Sequence, residues 1–247
     1  MTGFESLIYE KENGIASVTL NRPEALNAYC IRMRDDLFEI LGAIKADDEV
    51  RVVIFKGAGD KAFCAGADLR EFLTAPPPVK ARKVRFERDV WARFLSLPQP
   101  AIAALHGYVL GSGIEIALCC DIRLASPDAK FGLPEIGLGI IPAAGGTQTL
   151  PRVIGRSRAL EMLLTNRWIG AEEALQFQLV NRIVAKEELL DTAEEIAGKI
   201  ASYDPLAVKY AKQAVVRGMD MSLRDGLNLE GILAASLRKE RMRKESI

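Results

Sequence analysis

Ala101-Ile102-Ala103-Ala104-Leu105, then Gly111-Ser112-Gly113-Ile114-Glu115-Ile116-Ala117-Leu118-Cys119-Cys120, then Ile122-Arg123-Leu124-Ala125 follow one another in a single stretch. An apolar run of strand length, a glycine-opened apolar helix and a second short apolar strand make one repeat of an α/β core. Inside that helix stands a carboxylate, Glu115, where the surroundings are hydrophobic. Carboxylates are almost never fully buried unless something pairs with them or uses them. A second glutamate, Glu135, lies in Phe131-Gly132-Leu133-Pro134-Glu135-Ile136-Gly137-Leu138-Gly139. Each has an ordinary explanation: Glu115 as a first-turn acid favoured by the helix macrodipole, Glu135 as an exposed loop acid after proline. Two such residues in glycine-punctuated apolar settings point instead to an acid/base pair facing one small-molecule site.

Outward from this stretch the same grammar recurs. Leu7–Glu10 and Ile15–Leu20 flank Asn13-Gly14, a dipeptide suited to a tight hairpin turn. A loop, Asn21 to Asn27, leads to a helix expected from about Ile31 to Lys45, and Val50 to Phe55 reads as a buried strand. Gly57 to Gly66 reads as a loop, followed by Ala67 to Phe72. Pro76-Pro77-Pro78 interrupts the chain before a charged helix ending near Leu97. From Arg156 onward helices dominate, apart from a short strand at Val180 to Val184. The chain therefore divides into an α/β core of strand-strand-helix units over residues 1–185 and a helical region over 186–247. The apolar faces of those last helices must bury against something. The charged stretch Arg238 to Glu245 reads as a solvated helix end.

Composition narrows the function classes. The chain has 247 residues, 49% of them hydrophobic, enough for a large core. Lys+Arg and Asp+Glu are both 33, which gives no support to a nucleic-acid or membrane surface. No apolar run reaches the length of a membrane span and no signal peptide opens the chain, so a soluble protein is expected, cytoplasmic or of an organelle matrix after processing. Cys30, Cys64, Cys119 and Cys120 lack ligand spacing and read as reduced core thiols. A single histidine, His106, excludes a multi-histidine metal site and weakens any Ser-His-Asp scheme; a structural role at the turn His106-Gly107 is expected. No metal site is expected.

The glycine loops carry the remaining signal. Gly57-Ala58-Gly59-Asp60-Lys61-Ala62 only loosely fits a dinucleotide fingerprint, and no phosphate-loop lysine motif is present. More specific are two loop-to-helix junctions, Ala65-Gly66-Ala67-Asp68-Leu69 and Gly111-Ser112-Gly113. Each can leave backbone N–H groups unpaired at a helix start, and two such donors converging on one oxygen form an oxyanion hole. Glycines serving tight turns are the ordinary alternative.

With these motifs assembled, the chain resembles the crotonase family of enoyl-CoA hydratases and isomerases. The resemblance rests on Leu20 through Ala28, Ala62 through Leu69, Gly107 through Asp121, and Pro134-Glu135 through Gly145-Gly146-Thr147-Gln148. It implies a right-handed spiral of β-β-α repeats with a C-terminal helical region that mediates homotrimers, often paired into homohexamers. It also implies that the N–H groups of Ala67 and Ser112 hold a thioester oxygen, and that Ala65, Ala67, Asp68, Leu69 and Arg70 lie along the coenzyme A moiety. Ala25 and Ser112 join the substrate contacts. Glu115 and Glu135 match the two catalytic glutamates of the hydratases, by analogy the water-activating base and the proton donor to C2. No separate cofactor is implied, since coenzyme A is part of the acyl-CoA thioester substrate. The implied activity is hydration of an enoyl-CoA, as in fatty acid β-oxidation.

The sequence departs from the family pattern at three places. Ser112 stands where glycine is common, and Ala143 replaces a glycine that in typical hydratases helps place the water. The chain also stops at Ile247, short of a terminal helix that normally lies near the acyl and CoA pocket, so an open site, a bulky acyl group or a shortened chain is expected. Two rival readings remain: an enoyl-CoA isomerase using one carboxylate, Glu135, and a non-catalytic CoA-thioester or RNA-binding homologue. The basic run Lys80, Arg82, Lys83, Arg85, Arg88 reads first as a solvated helical face and second as attraction for the phosphates of coenzyme A, with nucleic acid not expected at zero net charge.

Overall fold

A computed structural model describes residues 4–72 and 87–245 of the chain. The hairpin forms as the sequence predicts: β1 (Leu7–Glu12) pairs antiparallel with β2 (Ile15–Leu20), and Asn13 and Gly14 take φ of 51° and 79° at the turn. Helix α1 (Ile31–Ala46) follows, its first turn capped by the Cys30 sulfur accepting from the Met33 amide at 3.4 Å. Met33, Leu37, Ile40, Leu41 and Ile44 form its buried stripe at helical spacing. Next come β3 (Val52–Gly57), β4 (Ala62–Cys64), the short α2 (Leu69–Phe72) and α3 (Val90–Leu95). The central repeat is β5 (Ala101–Leu105), β6 (Tyr108–Leu110), α4 (Ser112–Cys119), β7 (Ile122–Ala125) and β8 (Lys130–Gly132).

The 3-10 turn Pro134–Leu138 lies between β8 and the helices α5 (Gly146–Ile154) and α6 (Arg156–Thr165); shorter ones stand at Pro23–Ala25 and Lys186–Glu188. The remainder is β9 (Ile169–Gly170), α7 (Ala171–Gln176), β10 (Arg182–Ile183), α8 (Leu189–Ala201), α9 (Pro205–Gly218) and α10 (Leu223–Glu245).

The strands sort into two sheets. The larger has the order β1-β2-β3-β5-β7-β10, parallel from β2 onward; the smaller has the order β4-β6-β8-β9, with its first three strands parallel. Alternation across the large sheet builds two cores. Val53, Phe55, Ala101, Ala103, Leu105 and Ala125 face the main core, while Val52, Ile54, Ile102, Ala104 and Leu124 face α8. That helix meets them with Leu189, Ala193, Ala197 and Ala201, one residue per turn, and the small side chains let it lie close to the strands. Both faces being covered explains why these strands are apolar throughout.

Three expectations shift. The strand read at Val50 to Phe55 runs over Val52–Gly57, because its partner β2 continues to Leu20, which pairs with Gly57. The stretch Gly57 to Gly66, read as a loop, contains β4, and the strand read at Val180 to Val184 is only Arg182–Ile183. Pro76 to Pro78 and four of the five basic run residues, Lys80, Arg82, Lys83 and Arg85, lie outside the described residues. Arg88 stands over the Phe38 ring, 3.5 Å from Asp35 and 3.7 Å from Glu39, a charged face with its own acidic partners.

At the C-terminal end α9 and α10 pack on each other and leave Val215, Met219, Leu223, Leu227 and Ile232 exposed. Arg238, Lys239, Arg241 and Arg243 are exposed, as expected of a solvated helix end. Among the described residues no helix is long and apolar enough to cross a membrane.

Candidate active site

The site is built at the carboxyl ends of the three parallel strands of the small sheet. Strand β4 runs out into Ala65-Gly66-Ala67, β6 into Gly111-Ser112, and β8 into Leu133-Pro134-Glu135. Ligands in parallel α/β sheets gather at this edge, because the helix starts and loops open there. The β6–β8 pairing extends one step further through Gly111 N–H donating to Gly132 O at 2.9 Å.

Gly66 and Gly111 are where the two junctions touch. Both have positive φ, 106° and 49°, and a Cβ built on Gly111 would lie 3.4 Å from the Gly66 Cα. Only glycine combines that backbone with that approach. The residues that follow, Ala67 and Ser112, are thus brought side by side. Tyr29 pairs with this strand end from both sides, donating to Gly66 O and accepting from Asp68 N–H, both at 2.8 Å. In that parallel pattern the Ala67 N–H points away from Tyr29. Ser112 opens α4, where Gly111 O accepts from the Glu115 amide at 3.1 Å and the Ser112 N–H is one of the orphan donors of the helix start. Among the described residues no backbone hydrogen bond uses the N–H of Ala67 or of Ser112. Two adjacent unpaired donors, one backed by a helix N-terminus, can receive a carbonyl oxygen as it gains charge.

Glu115 is 2% exposed, so the buried carboxylate inferred from its apolar helix is real. Its Oε1 accepts from the amides of Ala144 at 3.0 Å and Gly146 at 2.8 Å. These donors sit where the chain enters α5; they fix the rotamer and favour negative charge on that oxygen. Glu135 is half-buried in the 3-10 turn, with Oε2 buried and lacking a hydrogen-bond partner among the described residues. Burial raises its pKa above the ordinary value, opposed by a bond from its own amide. Its Oε1 is 2.9 Å from where a Gly111 Cβ would be. Glu115 follows Gly111 by four residues, and helical side chains lean toward the N-terminus, so the Glu115 carboxylate reaches back to the turn Glu135 lies against. The two acids thus meet around one helix start in contrasting environments, a paired carboxylate and a desolvated carboxyl.

The other expected substrate contacts lie around the same edge. Ala65 N–H donates to Leu26 O at 3.0 Å, which sets the half-buried Ala25 beside it. Leu69 and Arg70 are exposed at the start of α2. The Asp68 carboxylate is engaged within the protein, accepting from Arg22 at 3.0 Å and from the Arg70 amide at 3.3 Å. His106 is 8% exposed, its pKa lowered chiefly by burial, and it sits after β5 apart from the two glutamates, in keeping with a structural role.

Sequence reading did not single out four supports. Asn27 is fully buried and staples the loop before α1, accepting from Arg22 N–H and donating to the carbonyls of Ala58 and Ala62. Arg22 spans from that loop to Asp68. Trp168 lies against Gly132, where any Cβ would come within 2.5 Å of its ring, and so backs the strand that carries Glu135. The amides of Ala144 and Gly146 are backbone groups with no side-chain signature. Arg22 and Asn27 stand in a loop that also holds Asn21 and Glu24, so nothing in the composition of the loop set them apart.

Comparison with known proteins gives the family and the fold. A family profile described as Enoyl-CoA hydratase/isomerase matches residues 10–247. The short-chain-enoyl-CoA hydratase of Clostridium acetobutylicum is 46% identical over 91% of this chain and 86% of its own. The (E)-benzylidenesuccinyl-CoA hydratase of Thauera aromatica is 43% identical over 96% of this chain and 92% of its own. A crystal structure of an enoyl-CoA hydratase subunit from Geobacillus kaustophilus superposes with a TM-score of 0.90 at 37% identity, covering 99% of this chain and 94% of that one. With paired acids and adjacent amides at the carboxyl edge of a spiral of β-β-α repeats, and a profile match over nearly its full length, the chain belongs to the enoyl-CoA hydratase/isomerase family.

Proposed function

We propose that this chain is an enoyl-CoA hydratase that adds water across the C2=C3 double bond of a 2-enoyl-CoA thioester. The observation that carries the reading is the meeting of two unpaired amides, Ala67 and Ser112, with two carboxyl groups in opposite environments. The thioester oxygen accepts from both amides. Glu115, positioned by the amides of Ala144 and Gly146, takes a proton from water as the water oxygen bonds to C3. The π electrons shift toward the thioester oxygen, where the two donors stabilise the enolate-like charge. Glu135, biased toward its acid form by burial, gives its proton to C2. The step ends with Glu115 protonated and Glu135 ionised, and exchange with solvent resets both. Their surroundings favour this division of labour, since the Glu115 oxygen accepts two amide hydrogen bonds while burial raises the pKa of Glu135.

Self-association as a homotrimer or homohexamer fits the exposed apolar residues of α9 and α10. Loss of the conjugated enone absorbance of crotonyl-CoA tests the activity directly. Glu115→Gln and Glu135→Gln are each expected to lower kcat by about 10²–10⁴-fold, the range of a lost general acid or base, with CoA binding retained. Full turnover by Glu115→Gln would sink hydration and leave an isomerase that uses Glu135 alone. Absence of turnover with every enoyl-CoA, together with salt-sensitive RNA binding, would replace both with a binding protein.

A further inference from the structure

We propose that Arg22 is a positioning residue that aims and polarises the Ala67 N–H through a chain of two peptide groups. The inference rests on the oxyanion reading above. Arg22 Nη1 donates to the Ala28 carbonyl at 2.8 Å. That carbonyl belongs to the same peptide plane as the Tyr29 N–H, which donates to Gly66 O at 2.8 Å. The Gly66 carbonyl in turn shares its plane with the Ala67 N–H. In a trans peptide the C=O and N–H point in opposite directions, so each hydrogen bond sets the direction of the next donor. The series runs from a guanidinium through two amides to the oxygen-binding N–H, and hydrogen bonds in series polarise one another. A permanent positive charge thus stands at the far end of a donor chain whose near end meets developing negative charge.

Arg22 is held at its guanidinium and at its backbone. Its Nη2 donates to Asp68 Oδ2 at 3.0 Å, and its own backbone N–H donates to Asn27 Oδ1 at 2.9 Å. Asp68 N–H donates to Tyr29 O at 2.8 Å, so the Arg22 partner is also the second staple of the same strand end. The Asp68 carboxylate, which family resemblance assigns to coenzyme A, is occupied in orienting the guanidinium. A planar fork suits this arrangement and a lysine does not, because one head must reach a carbonyl and a carboxylate in fixed directions.

The test compares wild type, Arg22→Gln, Arg22→Lys and Asp68→Asn by two readouts. One is kcat and KM with crotonyl-CoA. The other is the red shift of a bound aryl-acryloyl-CoA chromophore, which grows as its carbonyl is polarised. Arg22→Gln is expected to lose a large part of the red shift and on the order of tenfold in kcat, less than the ~10²–10³-fold of an absent oxyanion donor, with little change in KM. Arg22→Lys is expected to recover part of the shift through its charge, and Asp68→Asn to fall between wild type and Arg22→Gln. A purely structural arginine would lower the melting temperature and leave the bound chromophore unchanged; that result, or wild-type kcat in Arg22→Gln, overturns the proposal. Should Arg22→Gln not fold, Asp68→Asn decides on the same spectral criterion. No red shift in the wild type itself would refute the oxyanion reading instead, so the two failures are distinguishable.

Discussion

Adding one methyl group at Gly111 should separate catalysis from folding. Gly111 has φ 49° and ψ −120°, outside the regions open to side-chain-bearing residues, and holding alanine there costs about 1–3 kcal/mol. For a domain of this size each kcal/mol lowers Tm by about 2–4 °C, so Gly111→Ala should melt about 2–12 °C early and still fold. The effect on rate comes from what the methyl meets: Glu135 Oε1 at 2.9 Å and the Gly66 Cα at 3.4 Å. The carboxyl end is the more yielding neighbour, so Glu135 turns aside first and its proton no longer reaches C2. The Gly66 contact is backbone, and pushing on it spreads the Ala67 and Ser112 amides. Loss of the acid alone predicts about 10²–10⁴-fold in kcat. The assay is crotonyl-CoA hydration beside a thermal melt on the same sample. A folded Gly111→Ala protein with kcat within a few-fold of wild type would refute the idea that Glu135 and the two amides share this glycine.

Other outcomes can be stated briefly. Gly198 sits exposed within α8 with open space where a Cβ would go, so Gly198→Ala should gain about 0.8–1 kcal/mol and raise Tm with activity unchanged. The pKa of Glu135 is raised by burial, so its contribution to stability is present below the ordinary carboxylate value and lost as pH rises through the raised one. Glu135→Gln should therefore match wild type in melts near pH 3 and exceed it near pH 8, where a charged buried carboxylate has been removed; equal melts at both pH values would contradict the burial. Burial lowers the His106 pKa, so the stability it contributes is present above its ordinary value and lost as pH falls through the lowered one. His106→Gln should flatten the acid limb of the melt below about pH 6.5. All four cysteines are buried and free, with burial pushing the Cys64 and Cys119 thiols up to about 12. A thiol-titrating reagent should find essentially none in the native protein and all of them in guanidinium.

The parts legible in sequence were those written in side chains with a clear period or a clear anomaly. Asn13-Gly14 announced the hairpin, the unbroken apolar run Ala101–Leu105 announced a strand, and Glu115 stood out because it interrupts an apolar helix. The glycine junctions announced two donors, though not that they touch. Much of the small sheet was not legible. Ala62–Cys64, Tyr108–Leu110 and Lys130–Gly132 are three residues each, too short to display alternation, and they exist as strands because parallel pairing to one another fixes them. The anchoring of Glu115 was equally invisible, since its partners are main-chain amides of Ala144 and Gly146 that any residue would supply. Asp68 read as a ligand contact because its loop does; only the position of Arg22 reveals that its carboxylate is already engaged.

The three-strand edge has a bearing on how such a scaffold diversifies. In the proposed reaction the thioester is polarised from the ends of β4 and β6, whereas the half-buried acid comes from the turn that follows β8. These are separate tenancies on neighbouring strands, spaced by the ~4.8 Å of sheet pairing. Exchanging the residue after Pro134 alters which group stands over the α-carbon while the electrophile remains gripped as before. On that reading a repertoire of enolate chemistries can be explored from this one frame by single replacements in the turn after β8, with the polarising grip inherited intact.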